Sequence, residues 1–276
     1  MIAVAFGIVV GLVLGLTGAG GSIVAVPLLM VGLGWTLPQA APIALIAVCA
    51  SATFGTIAAW DVTYVRYRAA LLMALGAVVT APLGLEAARA WPLPLVTGLF
   101  AGVLVLVAMR MILQAWRAPA EAAVVRASVA GDALPAHGGW VGLNAQGRIV
   151  WTTLAVATIA AIGAFTGFAA GLLGVGGGFV IVPALRAASG LSMHSVVATS
   201  LMAIALISGV TVAGAWVQGV DLHWPQAVPF ALGGLGGMLA GRRLAPRIAG
   251  PRLQLAFAVL VLAVAAGLAA HAAGRI

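Results

Sequence analysis

Lysine is missing from this sequence: all thirteen basic residues are arginine. That excludes a P-loop, whose hold on phosphate needs a lysine. Acidic residues are nearly as scarce, five in 276 positions. No chain of buried carboxylates is available to relay protons, so any proton coupling is expected to travel on a weakly acidic substrate. Cysteine occurs once, as Cys49 inside an apolar run, which excludes a disulfide framework and a thiolate metal site. Neither HExxH nor GxSxG occurs, so the common zinc-protease and serine-hydrolase signatures are absent. With no nucleophile–base pair and no metal-ligand spacing, the chain reads as a non-enzyme without cofactor or metal.

What remains is grease. The composition is 64% hydrophobic and 7% charged, with a mean hydropathy of +1.21, far beyond a soluble domain. Apolar runs of about twenty residues, bounded by Arg, Pro or Trp, recur along the chain, and each is long enough to cross a bilayer. The fold class is an all-α polytopic membrane protein. The first run, Ile2 to Leu16, looks like a secretory signal, but no basic residue precedes it and its counterpart recurs in mid-chain. It is read as part of the fold. A net charge of +8 would suggest nucleic acid in a soluble domain. Here the arginines are scattered between apolar runs, where they orient helices, and no nucleic-acid partner is expected.

The chain aligns with itself at an offset of 156 residues. Gly15, Leu16, Gly18, Gly20, Gly21, Val24, Val26 and Pro27 fall on Gly171, Leu172, Gly174, Gly176, Gly177, Val180, Val182 and Pro183. At an offset of 157, Leu75 and Gly76 meet Leu232 and Gly233, and Gly84 meets Gly241. A duplicated unit is the simplest account. Residues 1–113 form the first transmembrane repeat, 114–150 a polar connector, and 151–276 the second repeat. Each repeat holds a glycine-broken element followed by three longer runs.

The arginines discriminate between two topologies. If the broken element crosses the membrane once, they divide 7 to 6, which orients nothing. If it enters and returns to the same side, Arg66, Arg68, Arg110, Arg117, Arg126, Arg148, Arg186, Arg242, Arg243, Arg247 and Arg252 gather on one side. Only Arg89 and Arg275 lie opposite. The positive-inside rule expects the second arrangement, which makes the copies inverted repeats with both termini outside.

The broken elements read GLTGAGGSIVAVP at 15–27 and GLLGVGGGFVIVP at 171–183. Each glycine weakens a helix by about 1 kcal/mol relative to alanine, and Pro27 and Pro183 each remove a donor. In lipid an unpaired backbone group costs several kcal/mol, so a break survives only where protein or water satisfies it. Half-helices meeting near mid-membrane are therefore expected. A half-helix that starts after the glycines aims free N–H groups and a positive dipole end inward, which makes an anion site. Paired breaks at corresponding places in inverted halves point to a transporter's substrate site. Other glycines, at 11/15, 98/102, 163/167/171 and 233/237/241, have the spacing for close helix packing.

The doubled GxxGxGG(G/S)–apolar–Pro motif resembles the TauE/SafE sulfite exporter family of membrane permeases. HSVVATSLMAI at 194–204 is similar to that family's recurring polar-Ala-Thr-Ser-Leu segment. The resemblance implies a permease for small sulfur-containing or organic anions, such as sulfite, thiosulfate or sulfonates. The first copy departs from it, with Ile43 and Ala44 where the second has Thr199 and Ser200.

The candidate substrate-binding residues are Thr17, Gly18, Gly20, Gly21 and Ser22 in the first copy. In the second they are Gly174, Gly176, Gly177, Gly178, Thr199 and Ser200. Arg186 and His194 are placed on the access path with Pro27 and Pro183. Trp60 and Trp216 end matching runs, as belt anchors do. Glu86 and Arg89 have the spacing of an ion pair on one helix face. The sequence thus reads as a multi-pass transporter of a bacterial inner membrane, moving a small anion by alternating access. An anion channel or a carrier of small carboxylates is the alternative, and homo-oligomer formation stays open. Accessible tags in the connector and at the C-terminus should label from opposite faces; labelling of both from one face overturns the inverted arrangement.

Overall fold

A computed structural model of the chain describes residues 2–17, 21–58, 65–117, 141–142, 149–191, 193–220, 222–244, 258–259 and 261–267. In chain order the helices are α1 (Ile2–Thr17), α2 (Gly21–Leu33), α3 (Leu37–Ala58), α4 (Tyr67–Ala90) and α5 (Leu93–Arg117). They continue as α6 (Thr153–Leu173), α7 (Gly178–Ala188), α8 (Met193–Val217) and α9 (Trp224–Leu244). Further helical residues lie at 261–267. Among the described residues the only β contact is an isolated bridge that sets Val141, from the end of the connector, beside Ser189. The chain is an all-α polytopic membrane protein.

Helix lengths follow the punctuation of the sequence. α3, α4, α6 and α8 are long and apolar enough to cross a membrane. α1, α2 and α7, with 16, 13 and 11 residues, are shorter apolar helices, below the roughly 20 residues that span the hydrocarbon. Short helices flank the first break, as the half-helix expectation has it, but α6, ahead of the second, has 21 residues. It begins where the Thr152 hydroxyl accepts from the N–H of Ala155 at 3.1 Å and stops only at Gly174, whose φ of 70° is left-handed. Nothing between those signals interrupts it. Pro27 and Pro183 sit inside α2 and α7 rather than at the breaks, and α6 ends at Gly174 without a proline.

Two seams of bare backbone organise the bundle. On α9, a Cβ built on Gly233, Gly237 or Gly241 would strike the carbonyl oxygen of Val4, Ile8 or Leu12 in turn. α1 and α9 therefore lie side by side and run in the same direction. On α6, a Cβ at Gly163, Gly167 or Gly171 would strike Met73, Ala77 or Ala81 of α4 in the same way. α4 and α6 are thus also parallel and in backbone contact. With little hydrophobic drive between helices in lipid, such close approach supplies the packing energy. Gly98 and Gly102 of α5 differ from expectation: a Cβ at either meets nothing within 4 Å.

The two seams correspond under the sequence offsets. Gly7, Gly11 and Gly15 face Phe230, Gly234 and Met238, as Gly163, Gly167 and Gly171 face Met73, Ala77 and Ala81. α1 is paired with α9, and α6 with α4. Between the seams α3 and α8 run antiparallel, with Gly55 against Leu201 and the Cys49 thiol donating to the Ala205 carbonyl at 3.4 Å. Cys49 and Ala205 are 156 residues apart, one repeat length. α3 runs parallel to α9, where Ser51 faces Gly234 and Arg242 donates to the Gly55 carbonyl at 2.8 Å. α4 runs parallel to α8, joined by Arg66 to Thr199 at one end and Arg89 to Gln218 at the other. α1, α3 and α9 consequently run in one direction, and α4, α6 and α8 in the other.

Both broken elements fold back. In the first, Gly21 lies against Leu14 and Val10 of α1, and Gly32 against Phe6. In the second, Gly177 lies against Thr166, while Val180 and Ala184 line an outward groove with Ala157, Ile162 and Phe165. α2 and α7 therefore return antiparallel to α1 and α6. By these directions Arg66, Arg68, Arg186, Arg242 and Arg243 share one end of the bundle, and Arg89 lies at the other. The outer faces carry exposed Val79, Leu83 and Leu232, which suit hydrocarbon. Gly11→Leu should lower stability by about 2–3 kcal/mol through overpacking, whereas Gly98→Leu should be neutral. Thermal denaturation in detergent measures both, and equal melting temperatures would show that the seam does not carry the fold.

Candidate functional site at the second glycine turn

The turn between α6 and α7 is made by backbone that only glycine adopts readily. Gly174, Gly176 and Gly177 have φ of 70°, 65° and 69°, and residues 171–178 are all buried. The turn is set against α3 and α8. A Cβ on Gly174 would strike Ala41, and one on Gly176 would lie 2.7 Å from the Ser208 hydroxyl and 3.2 Å from Val48. Val48 precedes Cys49, so the turn sits beside the α3–α8 crossing at the centre of the bundle. The turn lies where α3 and α8 meet.

Its hydrogen bonds are incompletely used. The N–H of Gly174 donates to Ala170 at 2.9 Å, and Val180 and Ile181 donate to the Gly177 carbonyl at 3.0 and 3.3 Å. For the amides of Val175, Gly176 and Gly177 no backbone acceptor occurs among the described residues. The first turn of α7 adds the N–H groups that every helix leaves unpaired, with the positive end of its dipole. Such an array can hold an anion without a cationic side chain.

The structure brings Gly174, Gly176, Gly177 and Gly178 together, and separates other candidates from them. The Thr199 hydroxyl accepts from the N–H of Arg66, just before α4, at 3.0 Å. It lies nine residues, about 13 Å, along α8 from Ser208. Ser200 donates to the Val197 carbonyl at 2.9 Å, and Thr17 to the Val13 carbonyl at 2.8 Å. Gly21 and Ser22 open α2 and are buried, whereas Gly18 and Gly20 lie outside the described residues. Arg186 is exposed in the last turn of α7. His194 is in the first turn of α8, and its side chain lies outside those described. Pro27 is buried and Pro183 half-buried. Trp216 is exposed at the end of its helix, as a belt residue would be, while Trp60 lies outside the described residues. Arg89 does not pair with Glu86; its guanidinium reaches the Gln218 carbonyl at 3.4 Å, because parallel packing brings the ends of α4 and α8 together.

Sequence reasoning missed Ser208. It is a lone serine in an apolar run, where the first copy has Ala52. Only its position opposite Gly176 distinguishes it from any other helical hydroxyl.

Antiparallel hairpins with a buried glycine turn, set in a bundle of long apolar helices, make this a multi-pass membrane protein. The sequence matches the family described as "Sulfite exporter TauE/SafE" over residues 3–268, and the chain belongs to that family. It is 31% identical over 269 residues to a Xylella fastidiosa protein named "Probable membrane transporter protein", the match covering 96% of this chain and 93% of that one. A protein of the same name from a second Xylella fastidiosa strain is 30% identical over 275 residues, with the same coverage. No solved structure matches the chain.

Thr199→Val should cost about 1–2 kcal/mol, because it removes the acceptor of the half-buried N–H of Arg66, while Thr199→Ser should restore stability. Melting curves of the two variants measure this. A stable Thr199→Val protein would show that the contact is dispensable.

Proposed function

We propose that the protein carries a small oxyanion, sulfite or a related sulfur oxyanion or sulfonate, across a bacterial inner membrane by alternating access. The supporting observation is the buried turn at Gly174–Gly178, whose amides lack backbone acceptors and which lies between α3 of one copy and α8 of the other. Anionic substrates of transporters are commonly held by the N-termini of discontinuous helices at such a repeat interface. The two copies act as halves in opposite orientation. Their antiparallel counterparts would let one half rock against the other about the α3–α8 crossing. The family membership supports the substrate class. The gathering of Arg66, Arg68, Arg186, Arg242 and Arg243 at one end supports a cytoplasmic assignment of that end. Gly18 to Ser22 would supply the corresponding donors of the first half.

The test is flux of sulfite in proteoliposomes. Gly177→Val places a β-branched side chain at φ 69° and against Thr166, closing the turn. Transport should fall at least about tenfold, the loss of one good hydrogen bond to a charged group, while membrane insertion is retained. Near-normal flux in that variant would leave the glycines with a packing role only. Saturation and counterflow in the wild type should accompany the flux, since a carrier shows both and an open channel neither.

A further inference from the structure

We infer that the second glycine turn selects singly charged oxyanions over doubly charged ones, with Ser208 as the side chain that touches the bound anion. This rests on the carrier reading above and adds to it the charge of the substrate and a named contact.

Ser208 is fully buried, and its hydroxyl has no hydrogen-bond partner. Buried hydroxyls in helices normally donate to the carbonyl one turn back. Thr166, Ser189 and Thr211 do so here, at 2.6, 2.7 and 2.8 Å. Ser208 instead lies 2.7 Å from the position of a Cβ on Gly176, which puts its oxygen against the turn. A buried hydroxyl left unsatisfied is destabilising. One that lies against a turn whose Val175, Gly176 and Gly177 amides have no backbone acceptor among the described residues is poised for a ligand that needs donors.

The charge selection follows from what surrounds that turn. The buried polar side chains among the described residues are all Ser or Thr, and no charged side chain is buried with them. The anion is therefore held by neutral dipoles alone. Its attraction to fixed dipoles grows in proportion to its charge, whereas the cost of removing it from water grows with the square. A dianion gains about twice the attraction at about four times the desolvation cost, with no buried cation among the described residues to offset it.

The experiment uses the full-length protein in proteoliposomes, with methanesulfonate as a permanent monoanion and sulfate as a dianion at neutral pH. Each competes against sulfite flux, and binding is also measured calorimetrically. Methanesulfonate should compete, and sulfate should be weaker by roughly a hundredfold or more. Sulfite affinity should rise as the pH falls and the dianion takes up its proton. Ser208→Ala should weaken methanesulfonate at least about tenfold with an unchanged melting curve. Ser51→Ala removes another buried serine hydroxyl without a hydrogen-bond partner, which faces Gly234 instead, and should change nothing. Equal competition by sulfate overturns the charge selection and leaves the carrier reading standing. Unaltered affinity in Ser208→Ala overturns the assignment of that residue. A wild type that binds none of these anions defeats the carrier reading together with this one.

Discussion

Helix backbones touch in this protein where side chains would ordinarily hold them apart. At both seams the missing Cβ atoms let carbonyl oxygens approach the neighbouring helix directly, and in lipid that contact is the main source of cohesion. The rest of the architecture hangs on it. Once α1 is fixed to α9 and α6 to α4, the returning helices α2 and α7 have one direction open to them. The second glycine turn is then delivered to the centre of the bundle.

That delivery explains why an expensive turn survives there. Three left-handed glycines and a row of unpaired amides would be costly against hydrocarbon. Against α3 and α8 they are enclosed by Ala41, Val48 and Ser208, which shield the turn without neutralising its polarity. The small side chains around it also matter: a larger residue at position 41 would collide with Gly174. Stability and polarity are thus set by the same contacts.

Much of this was legible in the sequence because spacing and chemistry coincided. Gly163, Gly167 and Gly171 recur every four residues, the period at which one helix face repeats, and they form a seam. Gly98 and Gly102 have the same spacing and form no seam among the described residues, since spacing cannot tell which face meets a helix and which meets lipid. The turn at Gly174 was marked by composition, but the full length of α6 was not, because the glycines were read as ending a half-helix. Thr199 stood out as a hydroxyl after the break, yet its acceptor is engaged by Arg66, a contact between residues 133 apart. Ser208 carried no local mark. Its distinction is a place opposite Gly176, and that is decided by tertiary packing.

The pairing of α1 with α9, and of α6 with α4, bears on how the chain is assembled. When α1 leaves the ribosome its glycine face has no partner, and α9 is still some two hundred residues from being made. α4, by contrast, waits only for α6. The α4–α6 pair can therefore close during synthesis and act as a template, while the N-terminal hairpin stays unclasped until nearly the whole polypeptide is inserted. The last event of biogenesis is then the clasp that joins beginning to end, so a truncated chain lacking α9 would hold a half-built seam that quality-control proteases can recognise.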